Sequence, residues 1–351
     1  MPKVLIIRTD HLGDLILTTP LMRALHKANY QVDVIAQSSN LPILLNNPYV
    51  SAYYSIESTA PEFPKKWLLL SKWIASHGYD ILILPYSKPK ELLFASLFSN
   101  VKKRIVMTGG IWGRITLHRC LRSGLLRIPR HMADVLLDIA RNLKVNPDGI
   151  APDIFLSNDE KDWAREQITK RFNGNCIVGI HPGCLGNTCN LPATVYGDVA
   201  DIILKKADWG IIVTGSIEEK ELMQNWAAQV THSKRCCLTQ GSFTLRQLSA
   251  VIAELNILLC PGTGPLHIAS AMRTATVSPM CPVPYLSHKV WGNMGGKAIA
   301  IEGNTNFCKE HEKGYAHNCN FHGQITSTKI FTELDGLTRR LSHMSFGDGH
   351  A

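Results

Sequence analysis

Short, nearly unbroken apolar runs alternate along the chain with longer amphipathic stretches. "KVLIIR", "QVDVIAQ" and "YDILILPYS" have the length and content of strands. Leu15–Ala28, "KELLFASLFSN" and "RHMADVLLDIARNL" space their apolar residues three and four apart and predict helices. Runs without in-and-out alternation suit strands covered on both faces, as in a parallel sheet built from βαβ units. The segment "KVNPDGIAPDIFLSNDE", rich in Pro, Gly, Asn and Asp, breaks the periodicity and reads as a linker. The alternation then restarts. "CIVGIHPG", "WGIIVTGS" and "NILLCPGTGPLHIASAM" each carry a strand into a glycine loop, while "TVYGDVADIILKKA", "IEEKELMQNWAAQV" and "LRQLSAVIAEL" predict helices. A chain of 351 residues exceeds what one core usually serves, so two α/β domains are expected, 1–155 and 156–325, followed by an amphipathic helix over 326–345. Loops at the carboxyl ends of the strands in both units would line a cleft, and chemistry is expected there.

Apolar residues make up 45% of the chain, enough for two cores, and no run reaches the length of a spanning helix. The opening "MPKVLIIR" enters a strand pattern directly, without the regions of a secretory signal, so a soluble, cytoplasmic protein is expected. Ten scattered cysteines with no Cys-x-x-Cys read as reduced structural thiols. The net charge of +9 is unevenly placed: Val101 to Arg130 holds eight Lys or Arg and no Asp or Glu. Such a stretch attracts phosphate on a glycan, a lipid or a nucleic acid, or is simply a solvated face. No nucleic-acid-binding motif accompanies it, and nucleic acid is not expected as a partner.

Four stretches carry candidate chemistry. In "RTDHLGDLILTTP" a strand ends in a turn with Asp10, Gly13 and Asp14 and a helix begins; an acid there is a cap or a catalyst. In "CPGTGPLHIASA" Gly262, Thr263 and Gly264 leave a strand, Pro265 opens a helix and His267 follows, an arrangement that favours a phosphate. It is neither the dinucleotide fingerprint nor a P-loop. "GIHPGCLGNT" offers His181, Gly183 and Thr188 around a second glycine loop, or a plain turn. "VTGSIEE" places Glu218 and Glu219 where either accepts from ribose hydroxyls or serves the helix dipole.

Taken together, these stretches resemble glycosyltransferase family 9, the heptosyltransferases of the lipopolysaccharide inner core. "KVLIIRTDHLGDLILTTPLMRAL" is similar to the family's opening strand, Gly-Asp turn and Thr-x-Pro helix. "YDILILPYSKPKELLFASLFSNVKKRI", "IHPG", "VTGSIEE", "FTLRQLSAVIAELNILLCPGTGPLHIASAM" and "WGNMGG" follow in the family's order, over most of residues 3 to 295. The resemblance implies a GT-B fold of two Rossmann-like domains facing across a cleft, with the acceptor on the first and the nucleotide sugar on the second. It implies inverting transfer of heptose from ADP-heptose, with no cofactor and no obligatory metal. Asp14 falls at the position of the family's general base. His181, Gly183, Thr188, Glu219, Gly262, Thr263, Gly264, Pro265 and His267 form the implied donor site, and backbone donors at Thr263, Gly264 and the next helix turn would stabilise charge growing on the diphosphate. Asp10 and Gly13 fall on the acceptor side, with Asp10 as a competing carboxylate whose repulsion would raise the proton affinity of one acid.

The basic stretch then gains a partner in the phosphorylated inner core: Arg114, Arg119 and Arg122 would grip its phosphates, and His131 opens a helix near the implied cleft. Such an enzyme would sit as a monomer on the inner face of the inner membrane, and the final helix would cross back to the first domain. The chain also departs from the family. Cys189 and Asn190 stand where many members carry Lys or Arg, and Gly262 where Asp, Asn or Ser is common, so the donor sugar stays open. A different nucleotide sugar, a non-catalytic nucleotide-sugar or glycolipid binder, and a basic nucleic-acid scaffold are the alternatives. Cys308, His311, His317, Cys319 and His322 form two Cys-x-x-His pairs without a standard finger spacing, and are read as a reduced loop rather than a zinc site.

Overall fold

In the computed structural model, residues 1–59, 66–85, 98–107, 119–121, 130–172, 176–184, 188–217, 219, 224, 226, 234–239, 241–304, 321 and 324–345 are described. The chain divides into two compact units, Met1–Phe155 and Leu156–Ala351. Each contains a six-stranded sheet in which every described strand pair is parallel.

In the first unit the strands are β1 (Lys3–Arg8), β2 (Gln31–Ala36), β3 (Ala52–Ser55), β4 (Ile81–Leu84), β5 (Lys103–Met107) and β6 (Arg119–Leu121), ordered β3-β2-β1-β4-β5-β6. The second unit runs through β7 (Ile177–Ile180), β8 (Gly210–Val213), β9 (Cys236–Leu238), β10 (Ile257–Leu259), β11 (Ala275–Met280) and β12 (Ala298–Glu302), ordered β12-β11-β10-β7-β8-β9. Both sheets thus have the same doubly wound order. The chain's direction of travel reverses between β1 and β4 and again between β7 and β10, which makes those two places the switch points. The runs "VLII" and "IVGI" are apolar throughout because both faces are covered.

The principal helices are α1 (Leu12–Lys27), α2 (Lys66–Ser76), α3 (Met132–Asn142), α4 (Asn158–Thr169), α5 (Ala193–Lys206), α6 (Leu245–Glu254), α7 (Gly264–Met272) and α8 (Ser327–Ser345). Helix α1 is buried nearly all round, and Pro20 lies inside it. Pro20 removes the N–H that would bond the Ile16 carbonyl; the Thr19 hydroxyl donates to that carbonyl instead, at 2.7 Å. Helix α4 begins inside the stretch read as linker. Ser157 and Glu160 form a reciprocal capping box there, a signature masked by the polar, turn-rich composition around it. Helix α8, for which a return to the first unit was expected, inserts Ile330, Leu334 and Leu337 into the core of the second. The helix expected over "IEEKELMQNWAAQV" falls mostly outside the described residues, and that over "KELLFASLFSN" almost wholly so. None of the described helices is long and apolar enough to cross a membrane.

Arg23 ties α1 to the segment closing the first unit. Its Nε donates to Asp148 at 2.8 Å, its Nη2 to the Gly149 carbonyl and its Nη1 to the Ala151 carbonyl, both at 3.0 Å, and it also pairs with Asp153. The residue is 8% exposed, so these partners balance a guanidinium largely removed from water. Arg23→Met is expected to destabilise the first unit by about 3 kcal/mol, because Asp153 loses the guanidinium, Asp148 keeps only Lys27, and the Gly149 and Ala151 carbonyls lose their donor. Thermal unfolding of the variant checks this; an unchanged midpoint would refute the assigned role.

Candidate active site

The functional side chains gather at the carboxyl ends of the strands, in one constellation per unit. In the first unit β1 ends at Arg8 and the chain turns through Thr9, Asp10 and His11 into α1. The Gln37 amide donates to the Thr9 carbonyl at 2.8 Å and the Asn40 amide to the Asp10 carbonyl at 3.2 Å, which holds the turn from the far side. Asp14 lies in the first turn of α1, and the Thr18 hydroxyl donates to its backbone carbonyl at 2.7 Å.

Between the two acids sits Arg8, whose side chain is 4% exposed. Its Nη2 donates to Asp14 Oδ1 at 2.6 Å. Its Nε stands 2.9 Å from Asp10 Oδ1, but neither atom makes an aligned hydrogen bond, so Asp10 is held by charge. Among the described residues, none donates to Asp14 Oδ2. Burial pushes the Asp10 carboxyl up to about 6, against the pull of Arg8 and with a smaller push from Asp14. Repulsion between the acids, expected from their spacing, is present as a raising cause and is secondary to desolvation. Arg8 itself was missed. The available signal was a charged residue closing a buried apolar strand.

In the second unit, the loops after β7, β8 and β10 meet around the switch point. His181 follows β7 and is buried; its Nδ1 lies 2.9 Å from the Thr214 hydroxyl after β8, and its Nε2 3.9 Å from Glu219 Oε2. Burial lowers the proton affinity of this imidazole, and the charge of Glu219 opposes the shift. Glu219 Oε2 accepts from the Ser216 N–H at 2.9 Å. Gly183 lies directly over that carboxylate: a Cβ there would sit 1.8 Å from Glu219 Oε1. Ser216, which sequence reasoning passed over, has a buried hydroxyl with no hydrogen-bond partner among the described residues.

Thr263 precedes α7 and likewise has a buried, unpartnered hydroxyl. The turn supplies fewer backbone donors than expected. The Thr263 N–H is spent on the Pro261 carbonyl, those of Leu266 and His267 on the Thr263 carbonyl, and Pro265 has none. The Gly264 N–H and the Thr263 hydroxyl remain to receive an anion. Gly262 lies close to Met280 and Thr188: a Cβ there would be 3.2 Å from Met280 Sδ and 3.9 Å from Thr188 Oγ1. His267 is buried one helical turn on, near Trp291.

The opposite end of α7 is clasped by the "WGNMGG" stretch. Ser270 Oγ accepts from the N–H groups of Met294 and Gly295, while Asn293 donates to the Thr274 carbonyl and accepts from Gly295 and Gly296. Any side chain at Gly295 would meet the Ser270 carbonyl at 1.7 Å, so glycine is required there. Asn190 turns into its own loop, donating to the Pro182 carbonyl at 2.6 Å and accepting from Tyr196 at 2.8 Å. Cys189 is packed in the core. Neither supplies a cationic contact.

Of the residues expected to bind the acceptor, Gly13 is buried in the first turn of α1. His131 caps α3, its Nδ1 accepting from the Ala133 N–H at 3.2 Å. Arg119 opens β6, while Arg114 and Arg122 lie outside the described residues, as do Cys308, His311, His317, Cys319 and His322. Among the described residues no cluster of His, Cys, Asp or Glu is grouped to hold a metal.

Comparison with known proteins accords with this architecture. Residues 70–282 match the family model "Glycosyltransferase family 9 (heptosyltransferase)". The chain is 21% identical over 296 residues to lipopolysaccharide heptosyltransferase 3 of Escherichia coli, an alignment covering 80% of this chain and 84% of that protein. Its fold is similar to that of the family 9 glycosyl transferase from Veillonella parvula, with a TM-score of 0.80, 18% identity and coverage of 97% of both chains. It is similar also to E. coli ADP-heptose lipopolysaccharide heptosyltransferase II, with a TM-score of 0.78, 20% identity and coverage of 97% and 99%. With two doubly wound parallel sheets of the GT-B class and a family model matched over more than half its length, the chain belongs to glycosyltransferase family 9.

Proposed function

We propose that this glycosyltransferase moves heptose from ADP-heptose to the inner core of lipopolysaccharide with inversion, using Asp14 as the base. The observation that carries this reading is the state of Asp14: one carboxylate oxygen is engaged by Arg8, and the other has no partner among the described residues. That oxygen would take the proton of an acceptor hydroxyl. The hydroxyl oxygen then forms its bond to the anomeric carbon, and the bond to the diphosphate breaks, its electron pair leaving with the diphosphate. The Gly264 N–H, the Thr263 and Ser216 hydroxyls and the positive end of α7 would receive that growing charge. Glu219 is placed to accept from ribose hydroxyls, with His181 beside it.

The donor identity rests on family membership and on the similarity to an ADP-heptose enzyme. The acceptor follows from the relative that acts on lipopolysaccharide and from the basic stretch Val101–Arg130. A phosphorylated glycolipid acceptor would draw the enzyme to the inner face of the inner membrane as a peripheral protein, with Arg114, Arg119 and Arg122 on its phosphates. A second reading, transfer from another nucleotide sugar, is favoured by the absence of a cation at Cys189 and Asn190.

Calorimetric titration with ADP, UDP, GDP and CMP separates these readings. Preference for ADP supports heptosyl transfer, whereas preference for another nucleotide changes the sugar. Asp14→Asn is expected to lower the transfer rate by a factor of about 10²–10⁴ while nucleotide binding persists. Retained transfer in that variant would remove Asp14 from the chemistry. Gly183→Ala is expected to displace the Glu219 carboxylate and weaken nucleotide binding about tenfold, roughly the loss of one charge-assisted hydrogen bond. Unchanged affinity would place the nucleotide away from Glu219.

A further inference from the structure

Asp10 belongs to none of the steps above, yet it is tied to the base through a shared partner. Among the described residues, Arg8 is the cation shared by two carboxylates: it donates to Asp14 Oδ1 at 2.6 Å and stands 2.9 Å from Asp10 Oδ1 without an aligned bond. The three side chains are 4%, 15% and 16% exposed for Arg8, Asp10 and Asp14, so water screens them poorly. Among the described residues, the charged or titratable groups that face Asp10 are Arg8 from β1, Asp14 from α1 and His11 between them. From the segment after β2 only the Gln37 and Asn40 amides reach this turn, and they bind its carbonyls.

We propose that Asp10 is a positioning residue for the base: by competing for Arg8 and bringing a second negative charge beside Asp14, it sets how strongly Asp14 attracts the acceptor's proton. This rests on Asp14 being the base, but the coupling itself is a property of the free protein. With Asp10 protonated, the cluster is one cation and one anion and Arg8 serves Asp14 alone. Once Asp10 ionises, the cluster carries a net negative charge and Arg8 is divided. Asp14 then shares its guanidinium with a second anion. Burial raises the Asp10 carboxyl to about 6, so the change falls just below neutral pH and the divided state of Arg8 is the one present at pH 7 and above.

The coupling is reciprocal, so it can be read on Asp10 without any substrate. In the full-length protein labelled with carbon-13 at aspartate carboxyls, the Asp10 signal is expected to titrate near pH 6 and to drag the Asp14 signal with it. In Asp14→Asn the Asp10 midpoint is expected to fall by about one pH unit, a tenfold change in affinity, because repulsion is removed and Arg8 is released. Asp14→Glu, which keeps the charge, is expected to retain the higher midpoint. An Asp10 midpoint unmoved in Asp14→Asn, or a wild-type Asp14 signal blind to the Asp10 step, overturns the proposal.

The kinetic counterpart is a rise in kcat as pH passes about 6. Asp10→Asn is expected to abolish that rise and lower kcat several-fold with the donor KM unchanged, and Asp10→Glu to preserve it. A protein that shows the carboxyl coupling but transfers no sugar would overturn the functional reading and leave the coupling standing.

Discussion

Every group discussed as chemistry depends on one topological constraint. In a parallel sheet each strand must be followed by a crossover, and right-handed crossovers send the helices to one face or the other according to the direction in which the sheet grows. Growth reverses between β1 and β4 in one unit and between β7 and β10 in the other. The loops leaving the two strands at such a point diverge to opposite faces and leave a crevice that neither covers. Asp10 and Asp14 follow β1, His181 and Gly183 follow β7, and Gly262 and Thr263 follow β10. These residues do not make their crevices; they occupy crevices that the strand order makes.

A second constraint operates inside the crevice of the second unit. His181 and Glu219 are both buried, and two groups there must satisfy one another or lose hydration without return. The Ser216 N–H and the Thr214 hydroxyl supply the remaining partners, and Gly183 supplies the room. With so much of the polar surface paired internally, the hydroxyls of Ser216 and Thr263 stand out as buried groups without a partner among the described residues. The same accounting explains Asn190. Its amide closes the loop, so this loop is stabilised by neutral hydrogen bonds at a position noted from the sequence as lacking a cation.

Much of this was legible in the sequence, and the failures have physical causes. Strands β1, β4, β7, β8 and β10 are buried on both faces and announce themselves as apolar runs. The outer strands β3, β6 and β9 are short and their composition is mixed, so no period marks them. Helix α4 is mostly polar and solvent-facing, and only its capping box could have placed it. Among site residues, those on glycine loops were found because glycine and proline punctuate such loops whatever the fold. Arg8, Ser216 and Thr214 were passed over because their roles depend on partners distant in sequence or on burial, and neither leaves a local mark. Backbone bonding at Thr263 was invisible for the same reason: sequence can place a helix N-terminus, but not which of its N–H groups are already spent.

The burial of Arg8 is the most expensive of these choices and the most informative. An arginine drawn out of water at the end of a central strand loses hydration that one ion pair barely restores. A fold seeking stability alone would be served as well by an apolar residue there. With Asp10 and Asp14 retained, an apolar residue would leave two carboxylates facing each other across the turn with no countercharge. The cation is thus required by the acids, and the acids are held in a sparsely hydrated place where charge acts over distance. In water the interaction of one carboxylate with its neighbour would be screened to little; beside β1 it is strong enough for the charge on one acid to be felt by the other. A turn that only had to begin a helix would need a cap and nothing more. His11, at the capping position, makes no side-chain cap, so the start of α1 is served only by the charge of Asp14 in its first turn, a small part of what this buried cluster costs.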